Sequence, residues 1–555
     1  MHTIMANDTR SIRPLLATLT SLLLLTVAAQ ACLAQNPIVP LRTDSDWFED
    51  GQDHVEQASR RTWNNTPGAA RNIILFLGDG MGPSTVTAAR IYAGQQQGLN
   101  GEEYQLSFEK MPWAGLVKTY NTDAQVPDSA GTMSAIMTGV KTRSGVIGID
   151  GRPLRGSCAS YLETPGATMI SALELAEIAG KETGIVSTAR LTHATPAATF
   201  ANAPDRNWEG SQNLPEEARL LGCEDIASQL LSLPGRLQEK IARTRSDIDG
   251  IDVALGGGRS YFFGEDPASL AGFAEAPGEG RRDDGRNLIR EWQDKGGLYV
   301  MNKAGFDAID ASETRNILGL FQPSHMRYEA NRSEDSAGEP SLTDMTLKAI
   351  DLLDNNPNGF FLMVEAGRID HAHHVNNAYN ALNEAAELSR AVEAAMNAVD
   401  LNDTLIIVTA DHSHVMTMAG YPTRGNPILG VVIGNDNNGN PQDSPSLDRN
   451  ALPYTTLGYA TGAGFDDNGQ VTDADRRSGP PATGRHDLRS IDTTAPGYHQ
   501  ETLIDVPETH GGEDVGIYAI GPGSHLVSGV IEQNVIFHIM NYAGDLANLA
   551  RQAIE

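Results

Sequence analysis

The chain has 555 residues, of which 40% are hydrophobic and 20% charged, with a formal net charge of -30. Length and apolar fraction suit a globular fold and exclude a disordered polypeptide. An acidic balance of this size argues against nucleic acid or an anionic membrane as a partner, because both attract basic faces; part of the charge can instead be metal-ligating carboxylate.

Arg10 and Arg13 precede a leucine-rich apolar run over 15–29, and small residues follow at Ala29, Ala31 and Ala34. This is the pattern of a secretory signal and is short for a membrane span, so residues 1–34 are expected to be removed on export to a periplasmic or extracellular location. Cys32 adds the alternative of a lipid-tethered cysteine. No other long apolar segment occurs, and 541–555 lacks the hydrophobic tail of a lipid anchor. Residues 35–70 form a polar leader, and 71–555 are expected to be one α/β domain. Once the signal is removed, Cys158 and Cys223 remain. An oxidising compartment favours their pairing, with two buried thiols as the alternative.

Residues 72–77 (NIILFL), bounded by Gly78-Asp79-Gly80, are a short continuous apolar run of the kind found in strands buried on both faces. Pro83-Ser84 opens a helical pattern that runs to Ala93. Further strands are expected at 184–187, 253–255, 360–364 and 405–408, and helices at 129–137, 167–179, 342–353 and 378–399. This alternation predicts an α/β fold with a large, mostly parallel central sheet flanked by helices on both faces. Segments 264–300 and 420–505, rich in Gly and Asp with few apolar runs, are expected to be insertions, the second rising over one end of the sheet.

In open parallel sheets, sites form beyond the carboxyl ends of the strands. Asp79 stands there after NIILFL. Glu365 and the run Arg368-Ile369-Asp370-His371-Ala372-His373-His374 follow FFLMV, and Asp411-His412-Ser413-His414 follows LIIVTA. Mixed Asp and His donors suit zinc in a site with open positions. Asp370 and His374 are one helical turn apart and can face one ion. His510, before Gly511-Gly512, can complete a ligand set. His373 and His414 are candidate ligands or mere neighbours. Ser129, in Pro127-Asp128-Ser129-Ala130-Gly131, opens a helix. It is either a nucleophile whose phosphate sits at the helix N-terminus or a plain N-cap. Arg206 is either a phosphate clamp or a surface arginine.

These residues resemble the alkaline phosphatases. The motifs are LGDGMG at 77–82, PDSAGTMSA at 127–135, THATPAATFAN at 192–202, VEAGRIDHAHH at 364–374, TADHSH at 409–414 and ETHGGEDV at 508–515. The resemblance implies phosphate monoester hydrolysis with two zinc ions and one magnesium. Asp370, His374 and His510 would hold the first zinc, and Asp79, Asp411 and His412 the second. Asp79, Thr195 and Glu365 would hold the magnesium. Ser129 matches the phosphorylated serine and Arg206 the phosphate clamp. His193 and His371, like those of the animal and some marine bacterial members, would stand beside the magnesium without ligating it. Cys158 and Cys223 match cysteines that are bridged in animal-type members. Some of those also hold calcium; Glu265 and Glu339 could serve here near Phe321, while Gln322 stands where they have a carboxylate. The 420–505 insertion falls where relatives build a crown over the site mouth, often at a dimer interface, which raises a homodimer. The rival activities are phosphodiester or sulfate ester hydrolysis or phosphomutase chemistry on the same fold, and non-catalytic binding of metal or phosphate.

Overall fold

The computed structural model describes residues 66–555 except 246, 266–273, 313–315, 468, 470–471, 476–485 and 501–507. The signal segment, Cys32 and the leader up to residue 65 lie outside the described residues.

The strands are β1 (Asn72–Gly78), β2 (Trp113–Lys118), β3 (Glu182–Arg190), β4 (Val253–Gly257), β5 (Leu298–Val300), β6 (Ile317–Leu320), β7 (Phe360–Ala366) and β8 (Thr404–Ala410), followed by β9 (Ser413–His414), β10 (Met416–Met418), β11 (Leu457–Tyr459), β12 (Asp466–Asp467), β13 (Tyr498–His499), β14 (His510–Gly511), β15 (Val515–Ile520) and β16 (Gly529–Glu532). Ten of them form one sheet in the order β16-β2-β15-β8-β1-β7-β3-β4-β6-β5, and the remaining six pair as three small ribbons. In the large sheet only β15 runs against the others. The principal helices are α1 (Pro83–Gln96), α2 (Ser129–Thr138), α3 (Ala172–Ile178), α4 (Ile226–Ile241), α5 (Leu342–Leu353), α6 (Arg368–His374), α7 (Ala378–Ala398) and α8 (Val535–Gly544). Those flanking the sheet form two groups, α1, α5 and α7 in one and α2, α3 and α8 in the other.

The central strands are buried along their whole length, which is why they carry unbroken apolar runs: β1, β7 and β8 have no exposed position. Their register fixes the site. Gly78 pairs with Ala366 on one side and Ala410 on the other, so Asp79 and Asp411 leave the sheet side by side. Leu77 pairs with Glu365, which pairs in turn with Ser187 of β3.

Two expectations need correction. The helix expected over 167–179 begins only at Ala172, because Ser171 and Glu174 close a capping box that fixes the start. The segment 264–300 is not solely an insertion. It ends in a helix, Leu288–Asp294, and in β5, which completes one edge of the main sheet.

Cys158 and Cys223 form a disulfide, with Cα atoms 6.2 Å apart. It packs with Trp208 and Ala218 in a small cluster of its own, two residues along the chain from Arg206. The bridge spans 65 residues, and loop-entropy reasoning for that length gives about 4 kcal/mol. Replacing both cysteines by serine should therefore lower the urea midpoint clearly. It should also raise KM, because the segment that carries Arg206 loosens. An unchanged midpoint would show the bridge to be energetically idle.

Candidate active site

Ser129 sits at the start of α2 and is not its N-cap. Asp128, not Ser129, is the N-cap: its Oδ1 accepts from Gly131 N at 3.2 Å and from Gly145 N at 2.8 Å. The Ser129 hydroxyl is free of capping and buried, with Oγ 3.1 Å from His412 Nε2. Asp128 Oδ2 also accepts from Arg206 Nη1 at 3.1 Å, and Arg206 Nη2 lies 3.0 Å from His193 Nε2. Arg206 is therefore a site residue, not a surface arginine.

The imidazoles are prepared in a common way. Nδ1 of His374 lies 3.2 Å from the Glu508 carbonyl, Nδ1 of His510 lies 2.8 Å from the Pro127 carbonyl, and Nδ1 of His412 lies 3.3 Å from the Ser413 carbonyl. A carbonyl can only accept, so each ring carries its proton on Nδ1 and turns an Nε2 lone pair inward. Asp370 Oδ1, His374 Nε2 and His510 Nε2 lie mutually 3.3 to 3.5 Å apart, a triangle that one ion could occupy. His412 Nε2 lies 3.4 Å from Asp79 Oδ1 and 3.3 Å from Asp411 Oδ2, a second such set. Asp79, His193 and Glu365 converge as a third, with Thr195 beside Glu365. The pair on α6 arises as its spacing predicted, Asp370 and His374 being four apart on one short helix. His510 is brought in by β14, which pairs it with His414 of β9.

These donors fit divalent cations. Both Asp79 carboxylate oxygens, Asp411 Oδ2, Glu365 Oε1 and His193 Nδ1 are buried without a hydrogen-bond partner. Polar atoms are rarely left so unless something binds them. The electrostatics point the same way. Burial, with the nearby carboxylates of Asp411, Asp370 and Glu365, holds the Asp79 carboxyl well above its usual range. Burial pushes Glu365 up to about 8 and Asp411 up to about 6. It pushes His412 and His510 down to about 3. Carboxylates short of positive charge and neutral imidazoles are what a metal site requires, and Asp79, Asp411 and His412 meet this. At Asp370 burial is outweighed by His374 and His414, which hold the carboxyl well below its usual range.

Of the two histidines left open in the sequence, His414 joins the site and His373 does not. His414 is fully buried and bridges Asp370 Oδ1 at 2.7 Å and Glu508 Oε2 at 2.8 Å. Burial opposes its protonation, but the two carboxylates push it up to about 10, so it donates to both and steadies Asp370. The backbone closes tightly around it. Gly80 has φ +68°, and a Cβ there would lie 2.4 Å from the His414 ring. His373 faces away from the ligand sets, 3.0 Å from Thr85 Oγ1 and 2.7 Å from Tyr459 Oη. His371 lies edge-on to His193 with ring centroids 5.5 Å apart. Among the described residues, Glu265 and Glu339 belong to none of the converging donor groups. Glu339 is buried, accepts from Arg327 N at 2.9 Å, and is pushed up to about 8 by burial.

The family model for alkaline phosphatase matches residues 70–546. The chain belongs to the alkaline phosphatase family. Its activity is hydrolysis of phosphate monoesters. It is 41% identical to the tissue-nonspecific alkaline phosphatase of Gallus gallus over 94% of this chain and 93% of that protein. It is 39% identical to the alkaline phosphatase of Gadus morhua over 90% and 96%. Among solved structures, the Thermus thermophilus alkaline phosphatase superposes with a TM-score of 0.57 at 25% identity, covering 89% of this chain and 98% of that one. The alkaline phosphatase of the Antarctic bacterium TAB5 shares the fold, with a TM-score of 0.53 at 20% identity over 87% and 99%.

Within this family site, burial is asymmetric. The Asp79, Asp411 and His412 side chains are fully buried, whereas the His374 side chain is 38% exposed. The site therefore meets solvent on the His374 and His510 side. Among the described residues no helix is long and apolar enough to cross a membrane.

Proposed function

We propose that this alkaline phosphatase works through a phosphoserine at Ser129, with Asp370, His374 and His510 holding one zinc ion, Asp79, Asp411 and His412 a second, and Asp79, Thr195 and Glu365 a magnesium ion. The observation that carries the proposal is the inward-turned Nε2 atoms of His374, His412 and His510, arranged beside buried, unpartnered carboxylates within reach of the Ser129 hydroxyl. Bound there, divalent ions lower the pKa of a nearby hydroxyl or water and neutralise phosphoryl oxygens.

The chain's own groups account for the rest. Asp128 caps α2, so the hydroxyl of Ser129 stays available while the helix N-terminus faces the phosphoryl dianion. Ser129 Oγ forms the new O–P bond as the ester P–O bond breaks, giving its proton to solvent, which returns one to the departing alkoxide. The alcohol departs toward the exposed His374 side. Water entering by the same side then cleaves the phosphoserine, releasing phosphate and restoring the hydroxyl. Arg206 leaves Asp128 to fork onto two phosphoryl oxygens, and Asp128 and His193 hold it poised until then. Nothing in this scheme grips the alcohol, so broad monoester specificity is expected. The disulfide and the N-terminal pattern support export, residues 71–555 are assigned as one catalytic domain, and a homodimer built around the 420–505 insertion is part of the same proposal.

Arg206→Ala removes a hydrogen-bonded charge worth about 1.5–3 kcal/mol, so kcat/KM should fall roughly 10- to 100-fold. Phosphate inhibition should weaken in parallel, as Ki measurements would show. The substrate test compares p-nitrophenyl phosphate, its bis-ester and the sulfate ester on protein loaded with zinc and magnesium. The proposal expects turnover confined to the monoester. Diester or sulfate hydrolysis at a comparable rate would replace it with the corresponding rival.

A further inference from the structure

Arg368 opens α6 two residues before Asp370, yet it faces away from the metal-ligand triangle. It is 4% exposed and has three partners. Its guanidinium lies 3.8 Å over the ring of Tyr328, itself fully buried. Its Nη2 donates to Asp475 Oδ2 at 2.7 Å, and Tyr328 Oη donates to Asp475 Oδ1 at 3.2 Å. Its Nη1 meets His371 Nδ1 at 3.1 Å. A guanidinium has no lone pair to offer, so His371 Nδ1 must be the acceptor in that contact. The proton of a neutral His371 ring therefore sits on Nε2, the opposite choice from His374, His412 and His510. On its far side the ring is backed by His325, at a centroid distance of 4.0 Å, and it lies beside His193, which contacts the phosphate-clamping Arg206.

We propose that Asp475, in the 420–505 insertion, is a positioning residue: together with Tyr328 it aims Arg368 at His371 Nδ1 and so fixes His371, beside His193, as an Nε2–H donor. The aromatic face and one carboxylate hold the planar guanidinium in a single orientation, which a flexible ammonium would not adopt. Asp475 lies on a half-exposed part of the insertion, with its side chain 54% exposed, so its replacement removes the aim without opening the core. The insertion thereby contributes to the site without touching substrate. This inference rests on the phosphatase reading for its kinetic consequence, but not for its structural one.

The test uses the full-length chain, loaded with zinc and magnesium and labelled with 15N at histidine. The His371 signal is assigned by its loss in His371→Gln. In the wild type, His371 should show a protonated Nε2 and an unprotonated Nδ1. In Asp475→Ala the His371 signal should move toward an average of the two tautomers. KM for p-nitrophenyl phosphate and Ki for inorganic phosphate should rise together about three- to tenfold, the loss of one charge-assisted contact, while kcat changes less than about twofold. Asp475→Glu should restore both readouts in part. A wild-type His371 protonated on Nδ1 would overturn the proposal. So would an Asp475→Ala protein whose spectrum and constants match the wild type, or one in which kcat falls while KM and Ki stay put. If the loaded wild type had no monoesterase activity, the phosphatase mechanism would fail, and the tautomer spectra would still decide the role of Asp475.

Discussion

Ser129→Ala should lower kcat/KM by at least about 10³-fold, the scale on which enzymes lose rate when the nucleophile of a concerted constellation is removed. The substitution deletes only a buried hydroxyl whose contact is His412 Nε2 at 3.1 Å. The α2 cap belongs to Asp128, so the helix keeps its N-terminal hydrogen bonds and stability should hardly change. Phosphate should still bind, because Arg206 and the ligand sets remain. The expected combination is loss of turnover with retained fold and retained phosphate affinity. Measured together by initial rates, thermal melting and isothermal titration, these results would separate a nucleophile from a structural serine. A variant that kept a tenth of wild-type turnover would rule Ser129 out as the attacking group.

Stripping the divalent ions should have the second large effect, on rate and on stability alike. Even one lost oxyanion-stabilising donor costs about 10²–10³ in rate, so full removal should cost at least as much. The stability effect has a predictable pH dependence. In the metal-free folded chain Glu365 titrates at about 8, mainly through burial. His414 titrates at about 10, because Glu508 and Asp370 outweigh burial. Both values lie above those of the unfolded chain. The folded state thus holds protons that the unfolded state has released, and the stability they confer is lost as pH rises through the folded values. His412 and His510, held at about 3, act in the opposite sense, but only below about pH 6.5, where unfolded histidine titrates. Between about pH 6.5 and 8 the metal-free protein should therefore melt at steadily lower temperature; above that, Lys181, pushed down to about 8 by burial, offsets His414. Ions at 1,000 times their Kd add about 4 kcal/mol and use the deprotonated carboxylates, so the loaded protein should melt higher and lose less of its melting temperature over that window, the remaining loss coming from the buried Glu177, Glu339 and Glu384. Melting curves at several pH values, with and without chelator, check both statements. A metal-free melting temperature that rose with pH would contradict the assignment of these buried groups.

The strands that carry the chemistry were legible in the sequence for a physical reason. NIILFL, FFLMV and LIIV are buried on both faces, so nothing interrupts their apolar runs. Of the strands that escaped notice, β6 (ILGL) carries that signal but is only four residues long, and three others lack it. β2 (WAGLVK) is largely exposed, β15 (VGIYAI) alternates between buried and half-buried positions, and β16 (GVIE) is a half-exposed edge. α4 was hidden by Pro234 in its interior, which normally argues against a helix. The ligand sets could be read because each lies within a few residues of a strand end. The roles of His414 and Asp475 could not. His414 acts through Glu508, 94 residues away, and Asp475 through Arg368, 107 residues away, so only the fold brings the partners together. That Ser129 does not cap α2 was likewise illegible in the sequence, because either Asp128 or Ser129 could hold the cap; Asp128 does.

The central claim is that the phosphoryl group rests on Ser129 during turnover, and it can be tested by quenching. The loaded protein would be mixed with excess p-nitrophenyl phosphate, stopped in acid within the first turnovers, digested and examined by mass spectrometry. The mechanism predicts one phosphoryl group on the peptide containing PDSAGTMSA, located at Ser129 and absent from the Ser129→Ala protein. Rapid monoester turnover with that peptide unmodified throughout, or with the phosphoryl group on another residue, would contradict it.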